Sequence, residues 1–401
     1  MIFLSLIPIV TSLYSHSHFI MIKSSFVAAT AALVGSANAM TCKNITVPVD
    51  LSARNGVFNI TAPQNNIEVT NFILDNTQQG ANYTKTVLEG YKTVSGHYEL
   101  AATYCVPGNN DTASPKNVQV LTHGIGFDRS YWNLPYNSGN YSYSAVATDK
   151  YGYATFSWDR LGIANSSHGD PVQEIQALLE VDGLRALTQG LRDGCIDGVE
   201  DHFEKIVHVG HSFGSTHTYA LTAMYPNISD GIALTGFSQN GSFVPFFQLG
   251  GNFIDVKENA ALAPLYAHGY LAAGDPSGVQ TNFFSPGAFD PKILTYAATT
   301  GQPVTVGELL TIGGETASPN HFAGPVIIVT GERDVPFCGG SCLNGAPNGS
   351  SIPAQAQKTF TSTNITTTIV PGAGHGLNLE YSHPFTYKSV NDFFAAKVGK
   401  A

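Results

Sequence analysis

The chain has 401 residues, 43% of them hydrophobic and only 12% charged, with a formal net charge of −10 at pH 7. That is enough apolar material for one large α/β domain with an insertion, or for two ordinary domains. No run of Lys or Arg interrupts the negative balance, which excludes nucleic acid as a partner, because phosphate recognition needs clustered positive charge, and argues against docking on an anionic membrane surface.

Residues 1–39 read as a targeting region. From Met21 the pattern is that of a secretory signal: Lys23 supplies the positive start, Phe26 to Gly35 the apolar stretch, and Ala37-Asn38-Ala39 the small-residue cleavage site. Residues 1–20 are either an upstream start or an extension of that signal, so Met1 and Met21 both stand as first residues. One transmembrane anchor is the alternative, but polar residues such as Ser15-His16-Ser17-His18 cut the apolar runs below the ~20 residues that a span requires. The expectation is a secreted, extracellular protein with no stable membrane insertion, whose mature chain starts near Met40. Asn-x-Ser/Thr sequons at Asn44, Asn59, Asn82, Asn110, Asn140, Asn165, Asn227, Asn240, Asn348 and Asn364 agree with it and predict N-linked glycans. Of the five cysteines, Cys338 and Cys342 would close a short loop and Cys42 would pair with Cys105, which leaves Cys195 as a buried free thiol. A metal site is the rival reading for Cys338 and Cys342, but no second Cys or His pair lies close by in sequence.

Residues 40–107 are expected to be a β-rich part of the sheet. Ile45 to Leu51, Val57 to Ile60 and Glu99 to Val106 are alternating or β-branched, separated by Asn-, Gly- and Gln-rich turns. Over 108–238 strands alternate with helices. Asn117 to Leu121 is a strand running into His123-Gly124-Ile125-Gly126, and Tyr153 to Trp158 another, running into Asp159-Arg160-Leu161-Gly162. Val172 to Leu191 has helical spacing, with Ile175, Leu178, Leu179, Val181, Leu184 and Leu187 as its apolar stripe. A strand at 205–210, a helix from Ser215 to Tyr225 and a strand from Gly231 to Gly236 follow. Residues 239–322 break the alternation and are rich in aromatics, Phe243, Phe246, Phe247, Phe253, Tyr266, Tyr270, Phe283, Phe284 and Phe289 among them. They read as an insertion whose rings form either a substrate pocket or the insertion's own core. Residues 323–401 resume the pattern with strands at Pro325 to Thr330 and Thr366 to Val370 and a helix at Ser389 to Lys397. Strands that are apolar throughout, alternating with helices, mean a mostly parallel sheet covered on both faces.

The chemistry gathers at strand ends. The strand at 205–210 ends in Gly210-His211-Ser212-Phe213-Gly214, a Gly-x-Ser-x-Gly turn that holds one serine hydroxyl at the start of a helix. A serine hydroxyl is hardly ionised near neutral pH, so Ser212 needs a base and an acid that orients it. Thirteen histidines are available, but His375 follows a strand in Pro371-Gly372-Ala373-Gly374-His375-Gly376, where the chain order expects the base. Asp334 follows the strand before it in Gly331-Glu332-Arg333-Asp334, with Glu332 as its local rival. Gly236-Phe237-Ser238-Gln239-Asn240, the other usual place for the acid, holds no carboxylate. The oxyanion would be received by the amides of Phe213 and Ile125, and His123 would brace the loop that carries the second of these.

In this order His-Gly-Ile-Gly, Asp159-Arg160-Leu161-Gly162, Gly-His-Ser212-Phe-Gly, Gly-x-x-Asp334 and Gly-His375 resemble the α/β-hydrolase superfamily, and in detail its secreted fungal serine-type members of unassigned substrate. The resemblance covers about residues 100 to 400. It implies a three-layer α/β-hydrolase fold, a mostly parallel eight-strand-type sheet with helices on both faces and a lid inserted after the sixth strand, to which this sequence adds a β-rich N-terminal extension. It also implies Ser212, Asp334 and His375 as the catalytic residues, and no cofactor or metal. The Cys338/Cys342 loop and the β-rich residues 41–100 depart from the general pattern. Serine at the nucleophile position argues against epoxide hydrolases and haloalkane dehalogenases, which use aspartate there. The His-Gly-Ile-Gly loop differs from the His-Gly-Gly-Gly of many lipases and esterases. The expected activity is hydrolysis of a small ester-type substrate, apolar or aromatic. A lipase, a peptidase, a hydroxynitrile lyase and a non-catalytic binding protein on the same scaffold are the alternatives.

Overall fold

In a computed structural model the described residues are 39–108, 115–346 and 349–399. Residues 1–38, which carry nearly all of the expected signal region, lie outside them, as do the sequons at Asn110 and Asn348. The chain opens with β1 (Thr41–Phe58), α1 (Asn66–Thr77), α2 (Tyr83–Val87) and β2 (Leu88–Val106). β3 (Asn117–Thr122), α3 (Tyr143–Tyr151), β4 (Ala154–Trp158), α4 (Ala177–Asp193), β5 (Lys205–His211), α5 (Phe213–Met224) and β6 (Gly231–Thr235) follow. After the insertion come β10 (Val326–Gly331), the one-turn α10 (Val335–Cys338), β11 (Thr366–Val370) and α11 (His383–Lys397).

These strands form one eight-stranded sheet in the order β1-β2-β4-β3-β5-β6-β10-β11. β2 is antiparallel to both β1 and β4, and the remaining neighbours are parallel. Every residue of β3, β4, β6 and β10 is buried, as a parallel sheet with helices on both faces demands. Side chains alternate between the layers: Val118 and Val120 of β3 join the cluster beneath α4, while Leu121 joins the one that includes Tyr143 of α3 and Phe394 of α11. The three-layer α/β architecture is the one expected.

Between β6 and β10 the insertion supplies α6 (Val244–Gly250), β7 (Phe253–Asp255), β8 (Tyr270–Ala273), α7 (Pro276–Phe283), α8 (Pro291–Thr299), β9 (Val304–Thr305) and α9 (Val306–Thr311). Its three strands make a separate small sheet, β7-β8-β9.

Several local expectations are corrected. Residues 66–77 and 83–87 are helical, not turns between strands, and Val57 to Ile60 is no separate strand but the end and exit of the long β1. Asn65 caps α1 by accepting the Glu68 N–H at 3.1 Å, and Val69, Phe72 and Ile73 form its buried face at helical spacing. α4 starts at Ala177 and not at Val172, because the Asp170 carboxylate accepts the Val172 and Gln173 amides and holds that stretch as a turn. α11 starts six residues earlier than expected, with Pro384 in its first turn.

Disulfides join Cys42 to Cys105, across the β1–β2 register pair, and Cys338 to Cys342. Cys195 is free but exposed, not buried: it follows the left-handed Gly194 that ends α4, where the chain turns out into solvent. Native protein is therefore expected to react with one equivalent of a thiol reagent such as a maleimide, and a Cys195→Ser variant with none. A labelled wild-type thiol that appears only after unfolding would contradict this placement.

Candidate active site

Three sequence-predicted side chains meet at the C-terminal edge of the sheet. Ser212 begins α5 straight after β5, His375 follows β11 and Asp334 follows β10. His375 Nδ1–H donates to Asp334 Oδ2 at 2.6 Å, so Nε2 is the acceptor nitrogen, and the Ser212 hydroxyl donates to it at 2.8 Å. Asp334 and His375 are buried and Ser212 is 8% exposed.

The backbone at Ser212 explains why its hydroxyl is available. Its φ of 56° and ψ of −119° lie in a region that non-glycine residues avoid, a conformation that costs on the order of 1–3 kcal/mol. A serine at the start of a helix ordinarily turns its oxygen onto the helix amides; here it makes no such bond and faces His375. The turn closes only with glycines on either side. A Cβ on Gly210 would lie 2.3 Å from the Gly214 carbonyl oxygen, and one on Gly214 would lie 2.2 Å from that of Thr122.

Asp334 is held from its other oxygen as well. Oδ1 accepts the Phe337 N–H at 2.8 Å and caps α10, and the Cys338–Cys342 bridge closes the loop directly behind it. Glu332, the local rival, turns the other way and accepts the Gly372 N–H at 2.9 Å. The His375 ring lies between two phenylalanines, Phe283 of α7 at 5.7 Å and Phe337 of α10 at 5.6 Å.

The His123–Gly126 loop passes over the serine: a Cβ on Gly124 would sit 2.8 Å from that of Ser212. Among the described residues neither the Ile125 nor the Phe213 amide has a hydrogen-bond acceptor. His123 does brace the loop, accepting the Arg160 N–H on Nε2 at 3.0 Å and donating Nδ1–H to the Gly124 carbonyl at 2.8 Å. Burial and the nearby Arg160 charge hold it neutral, far below the usual histidine pKa. His211, between Gly210 and Ser212, is also held neutral, chiefly by burial, and it stacks on Tyr131 at 4.5 Å.

Behind the Gly210–Gly214 turn lies an ionic cluster that motif reading does not detect. The Arg160 guanidinium, fully buried, binds Glu180 of α4 at 2.5 Å and Glu308 of α9, and sits 4.9 Å from the centre of the Phe213 ring. Both carboxyls are raised to about 7 by burial, the Arg160 charge opposing that rise; one guanidinium cannot neutralise two buried carboxylates, so a proton is retained near neutrality. The cluster ties the insertion, α4 and the β4 tip to the residue after Ser212.

Next to Ile125 a cavity of about 30 Å³ is lined by Ile125, Phe127, Phe247, Phe253, Val279 and Phe283, with Asn282 and Gln302 as polar neighbours. Phe247, Phe253 and Phe283 of the insertion aromatics thus face it, whereas Tyr266 and Tyr270 pack in the insertion's own small core. Among the described residues no group of three or more His, Cys, Asp and Glu could hold a metal ion, and no helix is long and apolar enough to cross a membrane.

The alpha/beta hydrolase family model matches residues 119–386. No curated protein matches the chain in sequence. Similar solved structures include a thermophilic esterase from Thermogutta terrifontis, 15% identical over 75% of this chain and 94% of its own, with a TM-score of 0.48. Epoxide hydrolase A from Mycobacterium thermoresistibile is 15% identical over 74% and 96% with a TM-score of 0.47. A peroxisomal alpha-beta-hydrolase from Saccharomyces cerevisiae is 12% identical over 90% and 89% with a TM-score of 0.44. With the family model spanning the sheet from β3 to the start of α11, the chain belongs to the α/β-hydrolase family.

Proposed function

We propose that the protein is a secreted, glycosylated serine hydrolase that cleaves an ester-type bond in a small apolar or aromatic substrate. The observation that carries this reading is the line of two hydrogen bonds from Ser212 Oγ through His375 to Asp334. As Oγ attacks the carbonyl carbon, His375 Nε2 takes its proton, and Asp334 stabilises the imidazolium through Nδ1–H. The carbonyl oxygen becomes an oxyanion that the Ile125 and Phe213 amides receive, at the positive end of α5. Collapse of the tetrahedral intermediate expels the alcohol, which takes the proton from Nε2 and leaves Ser212 acylated. Water, deprotonated by His375, then attacks the acyl group in the same way and frees the acid and the serine. These steps need no cofactor.

The apolar walls of the cavity beside Ile125 support an apolar or aromatic substrate. Two disulfides support an oxidising compartment. Exposed sequon asparagines at Asn44, Asn59, Asn82, Asn140, Asn165, Asn227 and Asn364 support glycosylation, while Asn240 is half-buried.

The test is a panel of p-nitrophenyl esters of increasing acyl length beside peptide amides and cyanohydrins. Turnover is expected for the esters and not for the peptide amides or the cyanohydrins. Faster cleavage of peptides or cyanohydrins than of any ester would overturn the assignment.

A further inference from the structure

Glu380 is a buried carboxylate that takes no part in the steps above, and it lies between the two segments that flank His375. Its Oε1 accepts the Ser285 N–H at 2.5 Å and its Oε2 accepts the Gly374 N–H at 2.7 Å. Gly374 immediately precedes the imidazole. Ser285 stands two residues beyond Phe283, whose ring stacks on His375 and whose carbonyl accepts the Gly376 N–H at 2.6 Å. The histidine loop is therefore tied to the insertion on both sides of His375, directly at Gly376 and through Glu380 at Gly374. The following residue adds a third tie, Tyr381 N–H to the Ala288 carbonyl at 2.8 Å.

The choice of residue follows from the donors. Two backbone N–H groups converge where the two segments nearly touch, since a Cβ on Gly374 would lie 2.7 Å from the Ser285 nitrogen. Donors cannot satisfy one another, and an ionised carboxylate supplies one free oxygen to each. A protonated carboxyl, or an amide, turns one hydrogen toward an N–H and can serve only the other. The titratable groups facing Glu380 are Asp334 beyond β10, His375 on the same loop, Tyr131 after β3, and His383, whose Nδ1–H donates to the Glu380 carbonyl at 2.7 Å. Among the described residues no cation pairs with it. Burial raises its carboxyl to about 7; the two amides oppose the rise and the Asp334 charge adds to it.

We propose that Glu380 is a positioning residue that couples the insertion to the histidine, holding Nε2 on Ser212 only while its carboxylate grips both amides. The proposal rests on the reading of Ser212 and His375 as the reacting pair. Protonation of Glu380 opens one tie, so the edge of the insertion and the imidazole loosen together and proton transfer slows.

The experiment compares wild type, Glu380→Gln and Ser212→Ala on p-nitrophenyl butyrate between pH 5 and 9, with the released acid quantified by chromatography. On the acid side, log kcat of the wild type is expected to show an extra drop of roughly 10- to 100-fold as Glu380 takes up its proton near pH 7. Glu380→Gln should lose roughly 10- to 100-fold in kcat, as for a catalytic group moved by a fraction of an ångström, with KM little changed and without that extra drop. Wild-type kcat and profile in Glu380→Gln would overturn the proposal. If that variant does not fold, the wild-type profile decides alone, and a profile described by a single protonation refutes the coupling. An inactive Ser212→Ala beside an unaffected Glu380→Gln removes only the role of Glu380, whereas a fully active Ser212→Ala removes the reading beneath it.

Discussion

Replacing Ser212 by alanine is expected to lower kcat for ester hydrolysis by on the order of 10⁴- to 10⁶-fold, as removal of a serine nucleophile does elsewhere. KM and the unfolding midpoint should change little. The first half follows from the hydrogen-bond line: without Oγ there is no group for His375 to deprotonate and no acyl-enzyme to form. The second half follows from what Oγ does not do. It caps no amide of α5, so its loss leaves no helix donor newly unsatisfied. Alanine must still adopt the strained φ of 56°, and it does so at about the same cost as serine. Active-site titration and urea unfolding on the same preparation separate the two effects. A Ser212→Ala protein that is inactive because it is unfolded would contradict the account as much as one that remains active.

The second large effect is on stability. Arg160→Met is expected to cost about 3–5 kcal/mol, because it strips the partner from Glu180 and Glu308 while both stay fully buried. Their carboxyls would then hold protons well above neutrality. The damage should extend to the site, since Arg160 also packs against Phe213 and its backbone N–H orients His123. Adding Glu180→Leu and Glu308→Gln to Arg160→Met should recover most of the loss, because no uncompensated charge then remains inside. The Glu308 side chain also accepts the Thr305 amide at 2.6 Å, and glutamine keeps an oxygen for that bond. Urea midpoints at constant slope measure both numbers. A triple variant no more stable than Arg160→Met would show that the cluster acts through shape, not charge.

What could be read from the chain and what could not follows from the range of the interactions. β3, β4, β5, β6 and β10 are legible because strands buried on both faces read as short runs rich in apolar and β-branched residues that end in or near a glycine. Ser212, Asp334 and His375 are legible as a group because each stands within five residues of a strand end, in a fixed order. α1 was missed although Asn65 and Glu68 mark its start; the Asn- and Gln-rich flanks hid the Val69, Phe72, Ile73 spacing. Arg160 binds Glu180 and Glu308, 20 and 148 positions away, and no local pattern joins residues that far apart. Glu380 left no signal because both of its partners are backbone amides, which every residue except proline carries. The expectation of a buried Cys195 fails because free cysteines are buried on average, whereas this one sits at a helix exit.

The most direct test of Ser212 as the nucleophile is covalent. A fluorophosphonate reacts with a serine only when a neighbouring base activates it, and mass spectrometry of the digested protein locates the adduct. The account predicts one adduct, on the peptide containing Ser212, absent from Ser212→Ala and strongly slowed in His375→Ala. An adduct on another residue, or undiminished labelling of Ser212→Ala, would contradict it.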